Sequence, residues 1–210
     1  MTDTHARFDA AFAAAPLVAI LRGLTPAEAP AIGDALVEAG FTLIEVPLNS
    51  PDPFDSIRLL VERVGDRALI GAGTVLTPED VARVADVGGT LIVSPNTDAD
   101  VIRASVARGL ISLPGYFTPS EGFAALAAGA TGLKLFPADG TTPAYLKAQR
   151  AVLPKTTKML AVGGITPENM ADWRAAGADG FGLGSNLYRP GKSADAVAQD
   201  AHRYLSALKD

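Results

Sequence analysis

Eight short apolar runs rich in β-branched residues recur along the chain at nearly even intervals: Leu17–Arg22, Leu43–Pro47, Leu69–Thr74, Leu91–Ser94, Leu110–Pro114, Gly132–Phe136, Met159–Gly163 and Gly180–Gly184. Their starts lie 19 to 27 residues apart, with helical patterns of about a dozen residues between them. Strands alternating with helices at this spacing predict βαβ units and a parallel sheet. Eight such units close naturally into a (β/α)8 TIM barrel, a fold that commonly takes a chain of about this length. An open doubly wound sheet is the alternative, but it usually has fewer strands and does not require so even a rhythm.

A second repeat supports the first. Thr-Pro-x-Glu or a near form of it occurs at Thr25, Thr77, Thr118 and Thr166. Threonine caps free amides, proline suits the first helical turn, and a nearby acid complements the helix dipole. These helices are expected to close at Gly40, Gly88, Gly129 and Gly177, where glycine permits a left-handed residue. This punctuation is structural and carries no catalytic meaning. Residues 1–16 are alanine-rich but include Asp3, Arg7 and Asp9, so they lack the continuous apolar core of a signal peptide. They read as an extra amphipathic N-terminal helix ahead of a barrel over 17–210. With no linker or composition break, one domain is expected.

Composition narrows the chemistry. The 210 residues are 48% hydrophobic and 20% charged, as in a compact soluble protein. There is no cysteine, hence no disulfide and no thiolate ligand or nucleophile, which fits the cytoplasm. The two histidines, His5 and His202, fall near the chain ends, so a histidine metal cluster or general base is not expected. A net charge of −5 argues against general nucleic-acid binding, although local dipoles and single cations can still hold an anionic small substrate. No apolar run approaches the roughly 20 residues of a membrane span. No metal or cofactor is expected.

The chain has six lysines, and Lys134 stands inside the apolar run Gly132–Phe136. The other five, Lys158 among them, are expected in helical or loop stretches. Two readings compete for Lys134. It is either a strand-end residue that snorkels to solvent, or a desolvated amine whose pKa falls until it can attack a ketone and form a Schiff base. Side chains alternate across a strand. If Leu133 and Leu135 face the helices, Gly132, Lys134 and Phe136 face inward. If Ile44 and Val46 face the helices, Leu43, Glu45 and Pro47 face inward. Glu45 is the one acid within the eight runs and enters the same space as Lys134. A buried ion pair alone explains this poorly, because such pairs rarely add stability. An acid/base and nucleophile pair explains it better.

In a barrel the active site lies at the C-terminal strand ends. Those ends carry Arg22, Thr74, Pro95, Gly163-Gly164 and Gly184-Ser185. Arg22 could clamp a carboxylate, or serve only as a rim ion-pair partner. Small residues before Thr74 let a ligand approach the backbone. Glycine-rich ends at strands seven and eight suit a phosphate, although tight turns use such pairs too.

The segments Glu45-Val46-Pro47-Leu48-Asn49-Ser50-Pro51, Gly71-Ala72-Gly73-Thr74-Val75, Pro114-Gly115 with Thr118-Pro119-Ser120-Glu121, Leu133-Lys134-Leu135-Phe136-Pro137 and Val162-Gly163-Gly164-Ile165 together resemble the class I aldolases for 2-keto-3-deoxy-6-phospho sugar acids. The similarity runs in order from about Leu17 to Tyr188. It implies a (β/α)8 barrel, a homotrimer, no metal, and release of pyruvate and glyceraldehyde 3-phosphate. It also implies that Lys134 is the Schiff-base lysine and Glu45 the proton shuttle. Arg22 and Thr74 would hold the pyruvoyl carboxylate, Pro95 and Phe136 would form apolar walls, and Gly163, Gly164, Gly184 and Ser185 would hold the phosphate. Asn49 and Val162 stand where the gluconate-type branch typically has arginine and threonine. With Gly184-Ser185-Asn186-Leu187-Tyr188, they resemble the branch acting on the galactonate-derived acid. The nearest alternative is the gluconate-type or a bifunctional enzyme of the same family; a phosphosugar isomerase or epimerase barrel, needing no Schiff base, is the alternative from another enzyme class.

Overall fold

The computed structural model describes residues 4–209. The expected eight-fold alternation is present, with the strand in fifth place divided in two. The strands are β1 (Leu17–Ile20), β2 (Leu43–Pro47), β3 (Leu69–Gly73), β4 (Leu91–Val93), β5 (Ile111–Leu113), β6 (Gly115–Tyr116), β7 (Gly132–Leu135), β8 (Lys158–Val162) and β9 (Gly180–Leu183). All pairs are parallel, in the order β5-β4-β3-β2-β1-β9-β8-β7-β6. Pro114 divides the fifth barrel strand because it has no amide hydrogen to donate to a ladder. Its carbonyl still accepts from Lys134 N at 2.9 Å, Ser112 O accepts from Thr131 N at 2.9 Å, and Gly115 N donates to Ser94 O at 3.0 Å. These bonds join the divided strand to both neighbours and bring the TIM barrel round on itself.

Most strands stop a residue or two short of the sequence expectation. Arg22, Thr74, Phe136, Gly163 and Gly184 fall just beyond the ladder, in the loops that leave it. Lys158 corrects an expectation: it opens β8 rather than lying in a loop.

The helices are α1 (Thr4–Ala14), α2 (Ala29–Ala39), α3 (Pro53–Val64), α4 (Pro78–Asp86), α5 (Ala99–Ala107), α6 (Pro119–Ala127), α7 (Pro143–Arg150), α8 (Met170–Ala175) and α9 (Ala194–Ala207). Two of the four threonines cap as expected. Thr77 Oγ1 accepts from Asp80 N, and Thr118 forms a full capping box with Glu121. At the other two sites the helix begins one turn later. There the roles are reversed: Glu28 and Asn169 reach back to the amides of Thr25 and Thr166. Gly40, Gly88, Gly129 and Gly177 all adopt positive φ, between 84° and 113°.

Two apolar clusters follow from strand alternation. Ile44, Val46, Leu133 and Leu135 join the layer between sheet and helices. Val18, Leu43, Leu69, Leu91, Val93, Ile111, Leu113, Leu160 and Val162 fill the barrel interior. Helix α1 completes this inner cluster with Phe8, Ala11 and Phe12. Burying a phenylalanine contributes about 1.5–3 kcal/mol, so Phe8 and Phe12 help fix this helix across the N-terminal mouth. Arg7 Nη2 donates to Gly65 O at 2.7 Å, and Asp9 pairs with Lys158 at 2.9 Å. The extra helix is thus the barrel floor. Residues 1–3 of the expected helix lie outside the described residues.

Candidate active site

Glu45 is the third residue of β2 and Lys134 the third of β7, so both point into the lumen, as alternation requires. They are 3% and 7% exposed. A small cavity between them and the inner cluster is lined by Val18, Ile20, Glu45, Val93, Leu113, Lys134, Leu160, Val162 and Gly182. Lys134 Nζ lies 4.8 Å from the centre of the Phe136 ring.

Burial shapes the ionisation of both groups. It pushes Glu45 up from 4.5 to about 7, against the attraction of Lys134 and Arg22 and a hydrogen bond from the Gly73 amide. It lowers Lys134 from 10.5 to about 8, with Glu45 opposing that shift and Arg22 adding to it. Glu45 Oε2 is buried without a hydrogen-bond partner. Such an oxygen is costly to leave unmatched, and sites of this kind mark function more often than stability.

Gly73 makes the arrangement sterically possible. A Cβ there would lie 2.0 Å from Glu45 Oε2 and 2.3 Å from Oε1, closer than any real side chain. Thr74 follows with φ 56°, which is strained for a β-branched residue. The loops after β1 and β2 are tied together by Gly23 N donating to Ser50 Oγ at 2.9 Å. Arg22 Nη1 donates to Asn49 Oδ1 at the long distance of 3.5 Å. Both side chains are exposed at the rim.

Above the small cavity opens a cleft of about 760 Å³, within the usual range of small-molecule sites. Ile20, Val162 and Gly182 line both spaces. Arg22, Phe136, Gly163, Gly164, Gly184 and Ser185 line the cleft, as do Asp139 and Tyr188. Gly163 and Gly164 have φ 117° and 65°, conformations that side chains disfavour. Ten of the twelve expected site residues therefore border these spaces or, like Asn49, hold one that does. Thr74 and Pro95 end neighbouring strands, half-buried, and line neither space. Among the described residues, no group of three or more His, Cys, Asp or Glu is placed to hold a metal ion.

Residues 8–200 match the sequence model of the aldolase family described as KDPG and KHG aldolase. The chain belongs to that family. It is 55% identical to a protein named probable 2-dehydro-3-deoxy-6-phosphogalactonate aldolase from Rhizobium meliloti (strain 1021), over 91% of each chain. It is 51% identical to the 2-dehydro-3-deoxy-6-phosphogalactonate aldolase of Escherichia coli (strain K12), over 93% of this chain and 95% of that one. Among solved structures, the KDPG aldolase from Legionella pneumophila, with pyruvate captured at low pH as a covalent carbinolamine intermediate, superposes with a TM-score of 0.81. It is 27% identical and covers 92% of this chain and 95% of that chain. KDPG and KHG aldolases are carbon–carbon lyases, and the barrel described above is their fold.

Sequence reasoning missed Gly73, Gly182 and Asp139. The first carried a signal in Gly71-Ala72-Gly73, where small residues admit something to the backbone, though that something is Glu45 itself. Gly182 lines both spaces and faces Val162, whose Cγ2 would lie 2.7 Å from an added Cβ. Asp139 gave no sequence signal, because its place depends on how the turn after β7 folds over Gly163 and Gly164.

Proposed function

We propose that the protein is a class I aldolase that reversibly cleaves 2-dehydro-3-deoxy-6-phosphogalactonate to pyruvate and D-glyceraldehyde 3-phosphate. The observation that carries the reading is the buried Lys134–Glu45 pair at the bottom of the cleft. Burial lowers the pKa of Lys134, so a far larger share of its amine is neutral near pH 7 than for an unperturbed lysine. The neutral amine attacks the keto carbon, and loss of water from the carbinolamine leaves an iminium. Glu45 takes the proton from the hydroxyl on the adjoining carbon chain. The carbon–carbon bond then breaks, its electron pair passes into the enamine, and the phosphorylated aldehyde departs. Glu45 returns the proton to the enamine carbon, and hydrolysis of the new iminium frees pyruvate and Lys134. A carboxyl group held near pH 7 can serve in both directions.

Arg22 holds the pyruvoyl carboxylate, Phe136 walls the pocket, and Gly163, Gly164, Gly184 and Ser185 receive the phosphate; the family resemblance alone supports Thr74 as a second carboxylate contact and Pro95 as a second wall. The protein supplies every catalytic group. The family resemblance supports a homotrimer, and the cysteine-free composition supports a cytoplasmic location. Borohydride treatment in the presence of pyruvate, followed by peptide mass spectrometry, tests the reading. A reduced pyruvate adduct on Lys134 is expected, and its absence would leave a phosphosugar isomerase as the better account.

The gluconate epimer is the second reading, and Val162 bears on the choice. Its side chain lines both spaces and offers the reacting hydroxyl no hydrogen bond. An apolar wall discriminates weakly, whereas a site built to bond a hydroxyl rejects a mismatch. Val162→Thr is expected to shift the kcat/KM ratio toward gluconate by about 1–2 kcal/mol, the scale of one hydrogen bond. A fixed ratio would reduce Val162 to a packing residue.

A further inference from the structure

We propose that Asp139 is a specificity-determining residue that weakens the cleft's hold on the phosphate end of its ligand. The inference rests on the reading of the cleft given above. Two charged side chains line that cleft, Arg22 at the end of β1 and Asp139 in the short turn Ala138–Gly140 after β7. Asp139 lies against the Gly-Gly segment. An added Cβ at Gly163 would lie 2.9 Å from Asp139 Oδ1, and one at Gly164 would lie 2.8 Å from Asp139 Cβ. The carboxylate therefore rests directly on the backbone that would receive the phosphate. Asp139 is exposed, and no described residue forms an ion pair or hydrogen bond with its carboxylate.

The phosphate end thus combines neutral donors, backbone amides and the Ser185 hydroxyl, with one unpaired negative charge. A dianionic phosphate seated on Gly163-Gly164 meets that charge within a few ångströms. At a water-like dielectric and about 4 Å, repulsion of one unit charge corresponds to about 5-fold in affinity and of a dianion to about 30-fold before screening, so an effect on the order of 3- to 10-fold remains at low salt. Because the group faces solvent, added salt screens the effect. A ligand ending in a hydroxyl does not feel it. Asp139 therefore narrows the preference for phosphorylated over unphosphorylated aldehydes and speeds departure of the phosphorylated product.

The test is condensation of pyruvate with D-glyceraldehyde 3-phosphate and, separately, with D-glyceraldehyde, in wild type and Asp139→Asn, at low salt and at about 0.5 M KCl. The variant is expected to lower the KM for the phosphorylated aldehyde 3- to 10-fold at low salt. The difference shrinks in KCl, and the KM for glyceraldehyde moves less than twofold. Asp139→Ala should do the same, since the effect is one of charge. Equal shifts for both aldehydes, or none, overturn the assignment of Asp139 while leaving the phosphate reading intact. A wild type that does not prefer the phosphorylated aldehyde overturns both.

Discussion

Two strand lysines sit at opposite ends of this barrel and solve the same problem in opposite ways. Lys158 is the first residue of β8, so its head leaves through the N-terminal rim. Its side chain remains 32% exposed, it pairs with Asp9 at 2.9 Å, and it lies 5.7 and 6.0 Å from the rings of Phe8 and Phe12. Lys134 is the third residue of β7 and has no such exit. Its carboxylate neighbour, Glu45, is buried as well and keeps one oxygen without a partner. The snorkelling and desolvated readings of a lysine in an apolar strand are thus both realised in one chain. A shift of two places along a strand decides between them. The floor lysine keeps its solvation and helps fasten α1, while the mouth lysine gives up solvation, which on the proposed reading makes it a nucleophile.

The comparison breaks first at Lys134. On the proposed reading, Lys134→Ala is expected to lower cleavage by more than about 10³-fold with the fold retained, because nothing replaces the lost nucleophile. Circular dichroism and a steady-state assay check it, and substantial turnover would place Lys134 beside Lys158 as a structural residue. Glu45→Gln keeps shape but cannot accept a proton, so a loss of about 10²–10⁴ in kcat is expected while the Schiff base still forms. Exchange of pyruvate methyl protons, followed by NMR, should slow in parallel.

Stability sharpens the contrast. The pKa of folded Lys134 is about 8, below its unfolded value of 10.5. Between those values the unfolded chain holds more protons, so stability rises with pH. From pH 8 to 10 the gain is on the order of 2 kcal/mol, absent from Lys134→Met and present in Lys158→Ala. Denaturant titrations at both pH values measure it. The smallest effect is that of Lys158→Ala itself. Loss of a partly exposed ion pair and a weak ring contact costs at most about 1 kcal/mol and leaves kcat within about twofold.

Much of this was legible in the sequence because it depends on periodicity. The strand rhythm implies the barrel, and alternation alone puts Glu45 and Lys134 on its inner face. The misses are of another kind. Thr25 and Thr166 carry the same motif as Thr77 and Thr118, yet their helices start a turn later, a choice made by packing rather than by the four residues themselves. Lys158 was misplaced because an extended start to β8 cannot be told from a loop without its partner strand, where it aligns with Gly132. Asp139 and Gly73 matter through what lies across space from them, which spacing along the chain does not encode.

The helix across the floor also has a consequence for traffic. With Phe8 and Phe12 filling the lower mouth, the lumen is a dead-end shaft that opens at the strand C-termini. Two fragments formed in such a shaft queue for the same door. On the proposed reading, the phosphorylated fragment lies nearer the entrance and the fragment bound to Lys134 lies behind it. The order of departure is then fixed by depth, the aldehyde first and pyruvate last, much as the last object lowered into a well is the first to be lifted out.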